Sequence, residues 1–187
     1  MQNEQGEEML QNSCDVLCVN LVDRTAPSEI IDMAQKKNVP VIFFNRELVE
    51  EDLSRWNRLY YVGADAKQSG IMQGELIAED FLSEGQEASA LSPLVDKNED
   101  GRIQYIIFEG EAGHQDSIMR TEYVINTLMK KKISLERLSY GIANWNRAEA
   151  QSKMMQFYSE FQDKIELIIS NNDDMALGVI DAYDKIG

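Results

Sequence analysis

The feature that most constrains this chain is an alternation of two hydrophobic periods. Short, almost wholly apolar runs stand between longer segments whose apolar residues recur at helical spacing. The apolar runs lie at 16–22, 40–45, 59–62, 103–108, 139–143 and 165–169. Helical spacing covers 27–37 (Ile30, Ile31 and Ala34 on one face), 69–82 (Ile71, Met72, Leu76, Ile77, Phe81), 115–131, 148–161 and 174–186. Strands with little polar alternation belong to parallel sheets covered on both faces, with the helices between them as crossovers. The predicted fold class is therefore α/β, with doubly wound parallel sheets. Such sheets bind ligands beyond the carboxyl ends of their strands. That rule directs attention to Asp23, Asn45, residues 110–116, Trp145 and residues 171–173.

Residues 1–13 read as the last turns of a helix that leads straight into a strand, and the helix at 174–186 runs into Gly187, a natural C-cap. A doubly wound domain rarely begins in the middle of a unit, so the expectation is a fragment of a larger fold.

Charge and composition narrow the function. With 33 acidic against 18 basic residues the net charge is −15, which repels phosphate backbones and argues against nucleic acid as a partner. No apolar run approaches the length that spans a membrane. The first eight residues are polar and acidic, the opposite of the basic start of a signal peptide. Cys14 and Cys18 are the two cysteines. In a strand their Cα atoms would stand roughly 13 Å apart, beyond the roughly 7 Å reach of a disulfide. Both are read as free, buried, small hydrophobes, and cysteine usage leaves the compartment open.

The strongest local motif is Asp96-Lys-Asn98-Glu-Asp100-Gly101-Arg102-Ile103-Gln104. Oxygen-bearing side chains occupy positions 1, 3, 5 and 9, with glycine at 6 where the loop must turn sharply. This is the first nine residues of an EF-hand calcium loop, in which position 7 offers its backbone carbonyl. The twelfth position, a bidentate glutamate in an EF-hand, is Ile107, and an apolar, β-branched strand leaves the loop where a helix would stand. The alternative reading is a polar Asx-turn loop with solvated charges.

That loop leads into Gln104-Tyr-Ile-Ile-Phe-Glu-Gly-Glu-Ala-Gly-His-Gln-Asp116-Ser-Ile-Met-Arg120, and the whole stretch resembles the bacterial periplasmic galactose/glucose-binding proteins. Further matches follow in the same order. They are Asn20-Leu-Val-Asp23, Asn38-Val-Pro-Val-Ile-Phe-Phe-Asn45-Arg-Glu, Tyr60-Tyr-Val-Gly-Ala-Asp, Ser69-Gly-Ile-Met-Gln-Gly-Glu-Leu-Ile-Ala and Lys164-Ile-Glu166-Leu-Ile-Ile-Ser-Asn171-Asn172-Asp173.

The resemblance implies a two-lobe type I periplasmic-binding-protein fold, with 1–62 in the N-terminal lobe and 63–187 in the C-terminal lobe. It also implies that a distant glutamate, Glu166 here, completes the calcium loop. The implied calcium ligands are the side chains of Asp96, Asn98, Asp100, Gln104 and Glu166 with the carbonyl of Arg102, and the ion's role is structural. By the same resemblance Asn45, His114, Asp116, Arg120 and Asn172 hydrogen-bond sugar hydroxyls, and Trp145 stacks on the pyranose ring. Planar polar groups serve two hydroxyls each and an indole covers the ring's C–H face, so these residue types suit a sugar.

Taken singly, each has an ordinary alternative. His114 and Asn172 could cap helices, and Asp116 could favour a helix dipole. Arg120 could pair with Asp116 one turn away, and Trp145 could cover a core edge. Part of the family's ring of contacts is absent from these residues, so the chain alone is expected to bind galactose or glucose weakly or not at all.

The function implied is that of a non-enzymatic extracytoplasmic receptor, periplasmic or lipid-anchored at the cell surface. Its lobes would close about a hinge, and its partners would be an ABC permease and, in some species, a chemotaxis transducer. Two rivals remain. A sugar-responsive repressor shares the fold but needs a basic helix-turn-helix, which this chain lacks. A glycosidase would use paired carboxylates such as Asp116 and Glu111, a poorer match to strand ends rich in Asn, Arg and Trp.

Overall fold

The computed structural model describes residues 1–82 and 91–187. They form two compact units, Met1–Ala64 and Asp65–Gly187.

In the first unit the elements run α1 (Gln2–Gln11), β1 (Leu17–Val19), α2 (Ser28–Lys37), β2 (Val41–Phe44), α3 (Glu50–Leu53) and β3 (Leu59–Val62). The three strands form a parallel sheet in the order β1-β2-β3, with Leu17 level with Val41 and Val41 level with Leu59. Side chains alternate between the faces of a strand, so Leu17, Val19, Val41, Phe43 and Leu59 share one face. They bury it with Leu10, Ile30, Ile31 and Ala34 of α1 and α2. α2 ends at Asn38, whose left-handed backbone (φ 58°) returns its N–H to Ala34 and Gln35.

Two expectations are corrected here. The other face of this sheet is uncovered among the described residues, leaving Cys18, Phe44, Tyr60 and Val62 exposed. Cys14 and Cys18 are free, but Cys14 is half-buried and Cys18 exposed, because Cys18 points to that uncovered face. The strand expected at 16–22 is also shorter. Past Val19 the chain turns away, and the side chain of Gln2 bridges the carbonyl of Asn20 and the N–H of Val22.

The second unit holds α4 (Ala66–Phe81), β4 (Ile103–Glu109), α5 (Gln115–Lys130), β5 (Leu135–Ile142), α6 (Arg147–Phe161), β6 (Leu167–Ser170) and α7 (Asp173–Ile186). Its parallel sheet runs β5-β4-β6, so the most apolar strand in the sequence is central. Ile103, Tyr105 and Ile107 face Val124 and Leu128 of α5 and Ala78 of α4. Ile106 and Phe108 face Ala150 and Met154 of α6 and Met175, Val179 and Ala182 of α7. Here both faces are covered, as the unbroken apolar run predicts. β5 begins four residues before its predicted start. Glu136 and Arg137 on this edge strand are exposed, so its first half shows no apolar run to read.

Four helices of this unit start on side-chain caps. Asp65 accepts from Gln68 N–H at 2.9 Å, His114 from Asp116 N–H at 3.2 Å, Asn146 from Glu149 N–H at 3.0 Å and Asn172 from Met175 N–H at 3.0 Å. Each satisfies a first-turn N–H that the helix itself leaves without a partner.

α6 and α7 are also tied by Arg147. Its Nε and Nη2 donate to the Asp181 carboxylate at 2.5 and 2.6 Å, and its N–H donates to Asp174 at 2.9 Å. The hydrogen bonds from Arg147 hold the Asp181 carboxyl below its ordinary value. A depressed carboxylate contributes stability that is complete above its unfolded-state pKa and is lost as pH falls through the lower folded-state pKa. Asp181→Asn is therefore expected to change thermal stability slightly at neutral pH and to flatten its decline in acid. A scan of melting temperature against pH checks this, and an unchanged acid limb contradicts it.

Candidate functional site

The chemistry-bearing side chains of the second unit gather where the sequence points, past the carboxyl ends of β4, β5 and β6. β4 ends at Glu109 and turns through Gly110 into α5, whose cap is His114. His114 is buried, and its Nδ1 accepts the Asp116 N–H. An imidazole that accepts at Nδ1 carries its proton on Nε2 when neutral, so the capping bond fixes the tautomer. The ring meets the Trp145 indole edge-on, with centroids 5.3 Å apart and planes at 79°.

Trp145 is placed by an uncommon backbone. Asn144 (φ 48°) and Trp145 (φ 62°) are consecutive left-handed residues at the end of β5. For a bulky residue that conformation costs about 1–2 kcal/mol, and such strain collects at functional positions. The indole lies flat against Gly110: a Cβ there would fall 2.2 Å from Trp145 Cε2 and Cζ2. Glycine is required here by this close approach.

Arg120, one turn along α5, donates from Nη1 to the Asn171 carbonyl at 3.0 Å, and Nη2 stands 3.7 Å from Asp116. Its Nε is shielded from solvent and has no hydrogen-bond partner among the described residues. A buried donor left unpaired is costly, so the guanidinium is poised for one more acceptor. Asn172 caps α7, and its Nδ2 reaches the Trp145 carbonyl at 3.4 Å.

Five of the six predicted sugar residues (His114, Asp116, Arg120, Trp145 and Asn172) are thus linked through direct contacts or through Asn171. Their ordinary roles as caps and an i,i+4 pair are present as well, and those roles hold the side chains still. The sixth, Asn45, lies in the first unit after β2, in left-handed backbone (φ 65°). Its N–H donates to the Val62 carbonyl, and the Tyr61 hydroxyl donates to its own carbonyl at 3.1 Å.

The loop from Asp96 to Gln104 closes on itself and on Glu166. The Asp96 carboxylate accepts from the N–H of Asp100 (3.2 Å) and Gly101 (2.9 Å). Glu166 accepts from Lys97 N–H (2.6 Å) and Gln104 N–H (3.0 Å), tying the loop to the entrance of β6. Asn98 Nδ2 and Gln104 Nε2 both lie against Asp100 Oδ2, at 3.2 and 2.9 Å. Arg102 is well exposed, its guanidinium 3.9 Å from Glu136. Among the described residues there is no group of three or more His, Cys, Asp and Glu side chains arranged to hold a metal. The loop's donor set is mixed instead, with amide N–H groups standing where they offset carboxylate charge. Turning both carboxamides by half a revolution exchanges their nitrogens for oxygens and leaves an all-oxygen set suited to a hard cation.

The sequence reading marked Gly110 and Asn171 as strand-end positions without giving either a role, and passed over Gln73. Asn171 is 3% exposed, and its Oδ1 accepts from Gly110 N–H (3.0 Å) and Ser117 Oγ (2.9 Å). Gln73 of α4 donates to the Ser170 carbonyl at 3.1 Å. The doubled asparagine after a strand was the available signal for Asn171, and it pointed equally to Asn172.

An α/β protein with parallel sheets and planar polar groups around an indole beyond its strand ends is of the doubly wound class, in which that place is the usual ligand site. The chain belongs to the periplasmic binding protein domain family, whose profile matches residues 1–187. It is 39% identical over 183 residues to the D-galactose/methyl-galactoside binding periplasmic protein of Haemophilus influenzae, covering 97% of this chain and 53% of that one. It is 24% identical to a xylitol-binding protein of Mycolicibacterium smegmatis, covering 100% of this chain and 46% of that one. Among solved structures it matches an ABC transporter solute binding protein from Bacillus halodurans with bound myo-inositol. There the TM-score is 0.75 and the identity 28%, over 100% of this chain and 56% of that one. The chain spans about half the length of the relatives it matches. No helix among the described residues is long and apolar enough to cross a membrane.

Proposed function

We propose that this chain carries the sugar-contacting and calcium-carrying part of an extracytoplasmic galactose/glucose receptor that delivers its ligand to an ABC permease. The observation that carries the reading is the Trp145 indole, held in strained backbone against Gly110 and edge-on to His114, together with Arg120, whose Nε has no hydrogen-bond partner among the described residues. An apolar plane flanked by fixed polar groups is what a pyranose requires. The ring's C–H face lies on the indole while its hydroxyls meet Asp116, Arg120, His114 and Asn172. The similarity to the Haemophilus influenzae protein supports galactose, the likeness to the Bacillus halodurans ABC transporter solute binding protein supports delivery to a permease, and a chemotaxis transducer is proposed from the resemblance in sequence motifs alone.

Calcium is proposed as a resident structural ion. The side chains of Asp96, Asn98, Asp100, Gln104 and Glu166 and the carbonyl of Arg102 would hold it. When bound it would supply a cross-link between the loop and β6, adding its binding energy to stability. The carboxylates of Asp96, Asp100 and Glu166 contribute the negative charge, and the carboxamides complete the set without adding repulsion.

The test is the fluorescence of Trp145 in a Trp56→Phe background, which leaves one tryptophan. Because only part of the ring of contacts is present, galactose and glucose are expected to change it saturably only at high concentration, and mannitol to leave it unchanged. Gly110→Ala, whose added methyl meets the indole, is expected to displace Trp145 and lower sugar affinity at least about tenfold, or about 1.4 kcal/mol. A parent response shared by mannitol, or an unimpaired Gly110→Ala, contradicts the reading.

A further inference from the structure

We infer that Asn171 is a positioning residue for the sugar contacts, and this rests on the reading just given. Its backbone N–H donates to the Phe108 carbonyl at 3.0 Å, which carries the β4–β6 ladder one residue past the end of β6. From that fixed point its side chain reaches three ways. Oδ1 accepts from Gly110 N–H (3.0 Å) and from Ser117 Oγ (2.9 Å), and Nδ2 donates to Thr121 Oγ1 at 3.1 Å. Its carbonyl accepts Arg120 Nη1 at 3.0 Å.

One side chain therefore joins the end of β4, two turns of α5 and the start of α7. Each joined element presents a sugar residue. Gly110 is the surface on which Trp145 lies, Arg120 takes its orientation from the Asn171 carbonyl, and Asn172 is the next residue in the chain. Asn171 does not itself face a ligand, since it is 3% exposed and both lone pairs of Oδ1 are engaged. The demand is chemically narrow. A double acceptor and a donor must come from one short planar group, which a carboxamide supplies. Removing it strands a buried N–H at Gly110, and a buried donor without a partner pulls its segment toward water.

The experiment titrates galactose against the Trp145 signal in the full chain carrying Trp56→Phe. Asn171→Ala is expected to weaken binding about tenfold or more. Ser117→Ala and Thr121→Val, each deleting one partner, should give smaller losses. Asn171→Asp keeps the acceptor for Gly110 and Ser117 and lets the Thr121 hydroxyl donate, so it should recover most of the affinity. Val179→Ala trims the α7 core without touching this network and serves as the stability control. It should lower the melting temperature while leaving affinity unchanged.

Equal affinity in Asn171→Ala and the parent overturns the inference. So does a loss in Val179→Ala as large as that in Asn171→Ala. Should Asn171→Ala fail to fold, unchanged affinity in both Ser117→Ala and Thr121→Val overturns it. A parent that does not respond to galactose at all overturns the sugar reading, and the role of Asn171 with it.

Discussion

Millimolar calcium is expected to raise the thermal unfolding midpoint of this chain on the order of 10 °C over the chelated protein, and Glu166→Gln is expected to remove most of that rise. The size follows from linkage. A ligand that binds only the folded state at a thousandfold excess over its dissociation constant adds about 4 kcal/mol, and each kcal/mol moves the midpoint by a few degrees. Glu166 is the sensitive position because it stands far along the chain from the loop and fastens Lys97 and Gln104 by their N–H groups. Without calcium the substitution costs little, about 1 kcal/mol, because the amide keeps one acceptor oxygen. With calcium it removes a charged ligand. Magnesium should substitute poorly, since it demands a smaller and more regular shell. Calorimetric scans with calcium, magnesium and chelator decide the matter, and midpoints that coincide contradict the calcium assignment.

The second large effect concerns packing. Gly178 of α7 lies against the start of α6, where a Cβ would fall 2.1 Å from the Arg147 carbonyl oxygen and 3.1 Å from Ala150 Cβ. The obstruction is backbone, which cannot swing aside as a side chain can. Gly178→Ala is expected to cost about 2–3 kcal/mol, the upper part of the range for overpacking. Moving α6 would also disturb the bonds from Arg147 to Asp174 and Asp181 and the Asn146 cap just after Trp145. Urea unfolding should show a lower midpoint at an unchanged slope, with reduced Trp145 burial in the folded baseline. A midpoint equal to the parent's contradicts this account of the α6–α7 contact.

Much of this architecture was legible because local pattern and tertiary environment agree. The run Ile103 to Phe108 reads as a doubly covered strand, and in the structure it is the central strand with helices on both faces. Where the environment is one-sided the reading fails. Cys18 and Tyr60 look like interior residues in an apolar run but lie on an uncovered sheet face. The polar first half of β5 hides a strand because edge position permits Glu136 and Arg137 there.

The site divides in the same way. His114 and Asn172 stand past strand ends, where the parallel-sheet rule directs attention, and Arg120, named from the family resemblance alone, lies one turn along α5. Their capping and pairing bonds are the ordinary roles, formed by the same side chains that the proposed sugar contacts would use. The bridging role of Asn171 was not legible. Its importance lies in three hydrogen bonds to residues 50 to 61 positions away, and no sequence period encodes contacts at that separation.

The central claim is that the strand ends of the second unit present a sugar surface, with Arg120 Nε a donor that lacks an acceptor among the described residues. The most direct measurement is a proton–nitrogen NMR titration with galactose that follows the Arg120 Nε–H and Trp145 Nε1–H resonances together. The prediction is a saturable movement of both, with one common dissociation constant and no comparable response to mannitol. Resonances that stay in place at the highest soluble galactose concentration, in a sample whose calcium-dependent stability is intact, would contradict it.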